Sequence, residues 1–412
     1  MTQRQSGLAA LLLSLLLLGG VLLRQAVWIT LAVVLLLAVL LAEVWRRWCL
    51  TKVTYRRLFS SRYVPFGEEI EYVVEITNRK LLPLVWIETE DELPAVLAPV
   101  RGRVTVSHRP HRCLLTNLLA LRPYEEVRRH YRLACTSRGE HVFGPLTLRS
   151  GDMFGLVSRE AEEEGTDRLV VYPRILPVHV SGVAARRLLG DDVVHASLFS
   201  DPSRVAGVRE YLPGDSVRQI HWPATARAQR LQIKRYDPVG VRRLSLCVDI
   251  DTNPEGRWWA GCDPDLQELV LMVAASLAEW AGQQGVPVGL YGNGKPYGDI
   301  TAVQLAPSAQ PERRRQVLEL LGRLMPYPTG PVAQALQSGA IRRPSGATVL
   351  LVTGLLYASK VHALGTLARS GHSVVAVLVG DTQESVGTLD IPLLHLADHQ
   401  VHWREQKVVR LV

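Results

Sequence analysis

Cysteine is scarce in this chain of 412 residues: there are five, at positions 49, 113, 135, 247 and 262. That is too few for a disulfide-built scaffold, and the odd count leaves at least one thiol unpaired. Charge is modest as well. Asp, Glu, Lys and Arg make up 21% of the residues against 47% hydrophobic ones, which excludes disorder as the main state and suffices for two or three packed cores. Familiar catalytic spacings are missing too. His395-x-x-x-His399 lacks the Glu that a zinc-protease helix requires, although the spacing would put both rings on one helical turn. Gly292-Asn293-Gly294-Lys295 lacks the spacer and hydroxyl of a phosphate loop and reads as a turn. Spacing alone yields no Ser-His-Asp or Cys-His set.

What is present is an uneven positive balance. The formal net charge is +8, a value that suggests nucleic acid until its location is known. Residues 1–57 carry +6 and residues 203–243 carry +6, whereas 58–202 and 244–412 are each −2. The second basic block has no nucleic-acid motif, and Tyr211, Trp222 and Tyr236 are not spaced as a stacking platform. Nucleic acid is therefore not an expected partner.

The first block reads as a membrane hairpin over residues 1–50. Gly7–Leu23 and Ala26–Ala42 are each 17 residues without a charge, separated by Arg24-Gln25 and closed by Glu43. At ~1.5 Å per residue each helix would span about 25 Å, the short end of what a bilayer accepts. Trp28, Trp45 and Trp48 fall where interfacial aromatics anchor. Arg4, Arg46, Arg47, Lys52, Arg56 and Arg57 flank the two ends, with Arg24 alone at the turn. The positive-inside rule then predicts an inner (plasma) membrane protein with both termini and the soluble domains cytoplasmic. A cleaved signal peptide would leave the second apolar run and its basic flank unexplained.

Residues 51–175 alternate with period 2. In Glu69–Ile76 the even positions are apolar and Glu fills three of the odd ones, the pattern of a strand with one wet face. Similar runs at Leu84–Thr89, Arg103–His108, Val127–Leu133, Val142–Leu148 and Leu169–Tyr172 predict a β-sandwich, with acidic Glu160–Glu164 as a solvated loop. Residues 243–412 differ. Leu244–Ile250, Val286–Tyr291, Ala347–Thr353 and Ser373–Val379 are continuous apolar runs, as in strands buried on both faces. Between them Asp265–Gln283, Pro311–Leu324 and Leu355–Ser370 have helical character. The alternation predicts an α/β domain whose ligands would sit at the carboxyl ends of its strands.

Residues 176–242 form a linker and basic junction whose core is 207–227. There Pro213-Gly214 makes a turn and Asp215 would cap a short helix over Val217–Trp222, with Ile220 and the Trp222 ring packed inward. Arg218 and His221 would share one face, and Pro223 ends that helix or starts another holding Arg227 and Arg230. Arg209 and Glu210 lie within reach of Asp215 and Arg218 for an ion-pair network.

The stretch Arg209-Glu210-Tyr211-x-Pro213-Gly214-Asp215-x-x-Arg218-x-Ile220-His221-Trp222-x-Ala224-Thr225-Ala226-Arg227 closely resembles the signature of the "domain of unknown function 58" family. Arg138-Gly139, Gly144-Pro145-Leu146, Asp152–Leu156 and Tyr172-Pro173 look like further family landmarks, while Pro223 stands where the family usually has Lys. The resemblance implies an N-terminal transmembrane pair, a β-domain and a C-terminal part similar to von Willebrand factor A domains (Rossmann-type). It also implies a neighbourhood of MoxR-type AAA+ ATPases and transglutaminase-like membrane proteins, with a role in assembly or maturation at the membrane.

In von Willebrand factor A domains a D-x-S-x-S loop, a Thr and a further Asp hold Mg²⁺, leaving a position for a partner's carboxylate. The corresponding loop here is Asp249-Ile250-Asp251-Thr252-Asn253, with both serines replaced, and Gly354 stands where the later acid is expected. Asp249, Asp251 and Asn253 are thus candidate Mg²⁺ ligands of a degenerate site; otherwise the acids cap the next helix and face water. For the junction, an enzymatic reading makes Glu210, Asp215 and His221 general acids or bases of a hydrolase. The favoured reading is a non-enzymatic membrane scaffold or adaptor whose junction docks a protein partner, which the family resemblance implies is a MoxR-type AAA+ ATPase.

Overall fold

A computed structural model describes residues 25–152, 158–182, 200–212, 216–238, 243–253, 261–337, 347–380 and 391–412, together with Ser14, Leu18, Leu22 and Ala185. The chain divides into two compact units, residues 1–171 and 172–412.

The first unit opens on helix α1, Ala26–Trp48, whose apolar composition and 23-residue length make it long enough to cross a membrane. It runs past the predicted end because Glu43 pairs with Arg46 at 2.6 Å and Arg47 at 3.1 Å, holding its last turn together. Trp45, expected at a lipid interface, packs instead on the strand core with Leu50. The first arm of the predicted hairpin, apart from Ser14, Leu18 and Leu22, lies outside the described residues.

The rest of this unit is strand-rich. Strands β1 (Val53–Phe59), β2 (Tyr63–Val64), β3 (Glu69–Asn78), β4 (Leu84–Pro94), β5 (Arg103–Val106), β6 (Arg112–Leu121) and β7 (Glu126–Ala134) are followed by β8 (Gly139–Phe143), β9 (Leu146–Gly151), β10 (Ser158–Glu163) and β11 (Asp167–Val171). They form sheets ordered β1-β3-β7, β10-β9-β4-β6-β5 and β2-β11-β8. Alternate side chains from all three, among them Tyr72, Val74, Leu133, Ile87, Leu115, Leu148 and Phe143, meet in one core. The predicted strand Val142–Leu148 is two strands in different sheets, divided at Gly144-Pro145, where proline has no N–H for a ladder bond. The acidic run predicted as a loop is largely β10, an exposed strand at a sheet edge, where side chains need no apolar partner.

Charge is buried at the centre of this unit. Asp91 of β4 accepts from Arg57 of β1 at 2.8 and 3.1 Å, from the Tyr55 hydroxyl at 2.9 Å and from the Tyr72 hydroxyl. Burial, with the Asp91 charge added, pushes both tyrosines well above their ordinary ionisation.

In the second unit, β12 (Val178–Val180) pairs in parallel with the last strand, β23 (Val409–Leu411). Strands β13 (Ser200–Glu210) and β14 (Gln232–Pro238) form an antiparallel pair, with the short helix α2 (Trp222–Ala228) in the connection between them. A six-stranded sheet follows from β15 (Arg243–Asp249), β16 (Val288–Gly292), β18 (Gln304–Ser308), β20 (Ala347–Thr353), β21 (Ser373–Leu378) and β22 (Leu393–His395), and β17 (Gly294–Pro296) pairs with β19 (Leu324–Pro328) beside it. The order is β18-β16-β15-β20-β21-β22, parallel except for β18. Helices α3 (Pro264–Gln283), α4 (Pro311–Arg323), α5 (Val332–Gln337) and α6 (Ala358–Arg369) connect these strands. Val332, Leu336, Ala363 and Leu364 of α5 and α6 pack on Cys247, Val349, Leu351 and Ala376 of the sheet. From β15 the chain steps outward to β16, and from β20 it steps the other way to β21. Right-handed crossovers therefore place α3 and α6 on opposite faces and make the β15–β20 boundary a topological switch point.

Candidate functional site

Asp249 and Thr353 are register partners at the carboxyl ends of β15 and β20, so the switch point brings them side by side. Asp249 is fully buried. Its Oδ1 accepts from Asn293 Nδ2 at 2.8 Å and from the Asp251 backbone N–H at 3.1 Å. Its Oδ2 accepts from Thr353 Oγ1 at 2.8 Å and forms an ion pair with Lys360, which is 1% exposed in the first turn of α6. The Lys360 ammonium also donates to Thr353 Oγ1 at 3.2 Å and to the Leu355 carbonyl at 2.9 Å, and lies 4.0 Å from the centre of the Tyr357 ring.

Around this pair the loops are tied down. The Asp251 carboxylate accepts the Asn253 backbone N–H at 3.2 Å and the Tyr357 hydroxyl at 2.9 Å. Burial, reinforced by the charges of Asp249 and Asp251, raises Tyr357 far above the ordinary phenol range. Asn293 accepts from the Ile250 backbone N–H at 2.9 Å and donates to the Gly330 carbonyl at 3.2 Å, so one amide joins three loops.

A divalent cation of the von Willebrand factor A type needs about six oxygen donors with a free position. The donors present do not fit it. One oxygen of Asp249 is committed to the Lys360 ammonium, and both Asp251 oxygens accept N–H or O–H bonds. At Gly354 a Cβ would meet Leu266 Cγ at 2.9 Å, so an acid there would collide with α3. Among the described residues no group of three or more His, Cys, Asp or Glu is placed to hold a metal ion.

Next to this edge lies a cleft of ≈620 Å³, lined by Thr252, Cys262, Asp263, Asp265, His402 and Trp403 among others. Asp263 caps α3 by accepting from the N–H groups of Asp265 and Leu266 at 3.0 and 3.2 Å. Trp403 Nε1 donates to Asp265 at 3.0 Å. Burial and two nearby carboxylates push the Cys262 thiol up, which disfavours the thiolate a nucleophile would need. His395 lies in β22 and His399 beyond it, where Nδ1 bonds the Leu396 carbonyl at 3.2 Å; no helix puts the two rings together.

The junction residues are placed differently from the expectation. Arg209 and Glu210 end β13, in register with Ile233 and Gln232 of β14, and the Tyr211 N–H bonds the Leu231 carbonyl at 2.9 Å. Glu210 pairs with Arg230 at 3.5 Å, both exposed. Pro213, Gly214 and Asp215 lie outside the described residues, as do 153–157 of the Asp152–Leu156 landmark. The predicted helix over Val217–Trp222 is one 3₁₀ turn, Val217–Gln219, bearing exposed Arg218. Pro223 sits in the first turn of α2, just after Trp222, and does not break it, since proline lacks only an N–H that the first turn leaves unpaired. His221 caps α2, its Nδ1 accepting the Ala224 N–H at 3.1 Å, and Thr225 Oγ1 accepts the Gln232 N–H at 3.0 Å. Arg227 lies exposed in the last turn. Ile220 is buried on Ile233 as expected, but the Trp222 ring faces outward at 65% exposure.

Sequence reasoning missed Lys360, Asn293 and Tyr357. The available signals were a lysine with apolar helical neighbours and no acid within a turn of it, and an asparagine between glycines just past a strand.

Residues 207–399 match the family model described as "Protein of unknown function DUF58". A relative, "Uncharacterized protein YeaD" of Bacillus subtilis (strain 168), is 27% identical over 233 residues, 56% of this chain; the match spans 53% of that relative, about half its length. Among solved structures, the CARDB domain of the PF1109 protein of Pyrococcus furiosus aligns over 29% of this chain and 86% of its own, at 13% identity and a TM-score of 0.20. A cohesin module from a Clostridium perfringens family 33 glycoside hydrolase aligns over 29% and 95%, at 15% identity and 0.21. Likenesses of that order bear on neither fold nor activity. The junction signature and the sheet that follows it thus lie together within the stretch, 207–399, over which this chain is similar to the DUF58 family of unknown function.

Proposed function

We propose that this protein is a membrane-anchored scaffold or adaptor whose junction docks a protein partner, a MoxR-type AAA+ ATPase in keeping with the family resemblance, during assembly or maturation at the membrane. The carrying observation is the outward ring of Trp222. It sits in the most distinctive motif of the chain, on a helix whose start is fixed by the His221 cap, and Val217 nearby in sequence is 70% exposed. Aromatic side chains held out on a braced backbone, flanked by Arg218 and Arg227, have the composition of an interface centre. In this reading residues 7–23 form a second span antiparallel to α1, and the basic flank of Arg46, Arg47, Lys52, Arg56 and Arg57 sets a cytoplasmic orientation. The strand-rich unit is a β-sandwich stalk, and the parallel sheet with its switch point is a von Willebrand factor A-like domain.

The alternative, a hydrolase using Glu210, Asp215 and His221, would require His221 to give up its cap and Glu210 its arginine. The test is binding of the full chain in nanodiscs to a purified MoxR-type ATPase from the same organism. Trp222→Ala and Arg218→Ala should each weaken binding at least about tenfold with unchanged melting. Wild-type binding that survives both substitutions, or no wild-type binding at all, sinks the reading.

A further inference from the structure

We infer that the Lys360 ammonium takes the place of a divalent cation at the switch point, so that this edge of the sheet carries a built-in positive charge and stays closed to metal. The inference is independent of the docking role proposed above.

A carboxylate removed from water at the end of a buried strand demands a compensating positive charge in contact with it. Asp249 is such a group. The ammonium has three N–H donors, and the site offers three oxygens of the kinds a hard cation takes: the Asp249 carboxylate, the Thr353 hydroxyl and the Leu355 carbonyl. The Tyr357 ring lies 4.0 Å from the nitrogen, and the phenol hydroxyl is fixed to Asp251. The ammonium is thereby saturated and covered, and a partner's carboxylate has no approach to the charge. Placement of the lysine follows from the fold. The turn that Thr353 begins leads directly into α6, and position 360 in its first turn points the four-carbon stem back under the strand ends. A monovalent cation attached to the chain cannot be diluted or chelated, so the arrangement of the β15 and β20 loops is independent of the metal concentration around it.

The experiment uses the full chain in detergent, with Mn²⁺ read by electron paramagnetic resonance and Mg²⁺ by its effect on thermal unfolding. Wild type should show no saturable Mn²⁺ site and no Mg²⁺-dependent midpoint. Lys360→Ala strands a buried carboxylate and should lower the midpoint by about 10 °C. It should also acquire one Mn²⁺ site, with Mg²⁺ raising its midpoint by several degrees and Asp249→Asn abolishing both gains. The charge-balanced pair Lys360→Met with Asp249→Asn keeps the idea testable if the single variant fails to fold: it should unfold closer to wild type than Lys360→Met alone. A wild-type Mn²⁺ site that Asp249→Asn removes would overturn the inference. So would a folded Lys360→Ala protein that neither loses stability nor binds the ion.

Discussion

Tyr357 and Asp251 are 106 residues apart, yet the Tyr357 hydroxyl donates to Asp251 Oδ2 at 2.9 Å. One bond thus joins the loop after β15 to the start of α6 and lays an aromatic ring over a buried ammonium.

Tyr357→Phe keeps the ring and removes the bond, so the expected cost is about 1–2 kcal/mol in urea unfolding. The same group predicts a pH dependence. Its ionisation is raised in the folded protein above the ordinary value near 10, so its contribution is fully present below pH 10 and is lost as the pH rises toward the folded value. Phenolate absorbance should show Tyr357 silent through pH 11 while exposed tyrosines titrate. A Tyr357 that titrates with the exposed ones would contradict the buried geometry.

Asn293→Ala should be among the most damaging polar truncations in the second unit. It leaves Asp249 Oδ1 with one donor and strands the Ile250 N–H and the Gly330 carbonyl, for a loss of about 2–4 kcal/mol. Asn293→Asp should be worse, because it sets a second carboxylate against Asp249. Chemical denaturation of the three proteins gives the ranking, and equal stability of the two variants would refute it.

In the first unit, Asp91→Ala leaves the buried Arg57 with only Asp167, at 3.4 Å, as a carboxylate partner and removes the carboxylate to which two tyrosine hydroxyls donate. The expected destabilisation is about 3–5 kcal/mol. Arg57→Met with Asp91→Leu together should recover much of it, as measured by thermal unfolding in detergent. A double variant no better than Asp91→Ala would place the value of the pair elsewhere than in mutual neutralisation.

Much of the fold was legible because its strands obey simple burial rules. The runs 244–250, 347–353 and 373–379 are apolar on both faces, and the observed β15, β20 and β21 match them to within a residue. Strand β1 was not legible. Its Arg57 looks like a surface residue until Asp91, 34 positions away, is known to lie beside it. Strand β6 lacks alternation in Leu114-Leu115 and Leu118-Leu119, so period 2 does not reveal it. The site divided along similar lines. Asp249 and Asp251 were found from the strand–loop pattern, whereas Lys360 and Asn293 acquire meaning only through partners on other loops. Trp222 was misplaced because large aromatics are ordinarily core residues, and the short α2 turns its ring outward.

The acid-rich β10 also has a consequence for crowding. A sheet edge exposes unpaired peptide groups that invite a strand from a neighbouring molecule. Here that edge carries Glu160, Glu162 and Glu163, with Glu164 just beyond. Two copies approaching through their β10 edges would bring like charges together before any ladder could form. Where copies crowd together, these glutamates act as a guard against edge-to-edge aggregation.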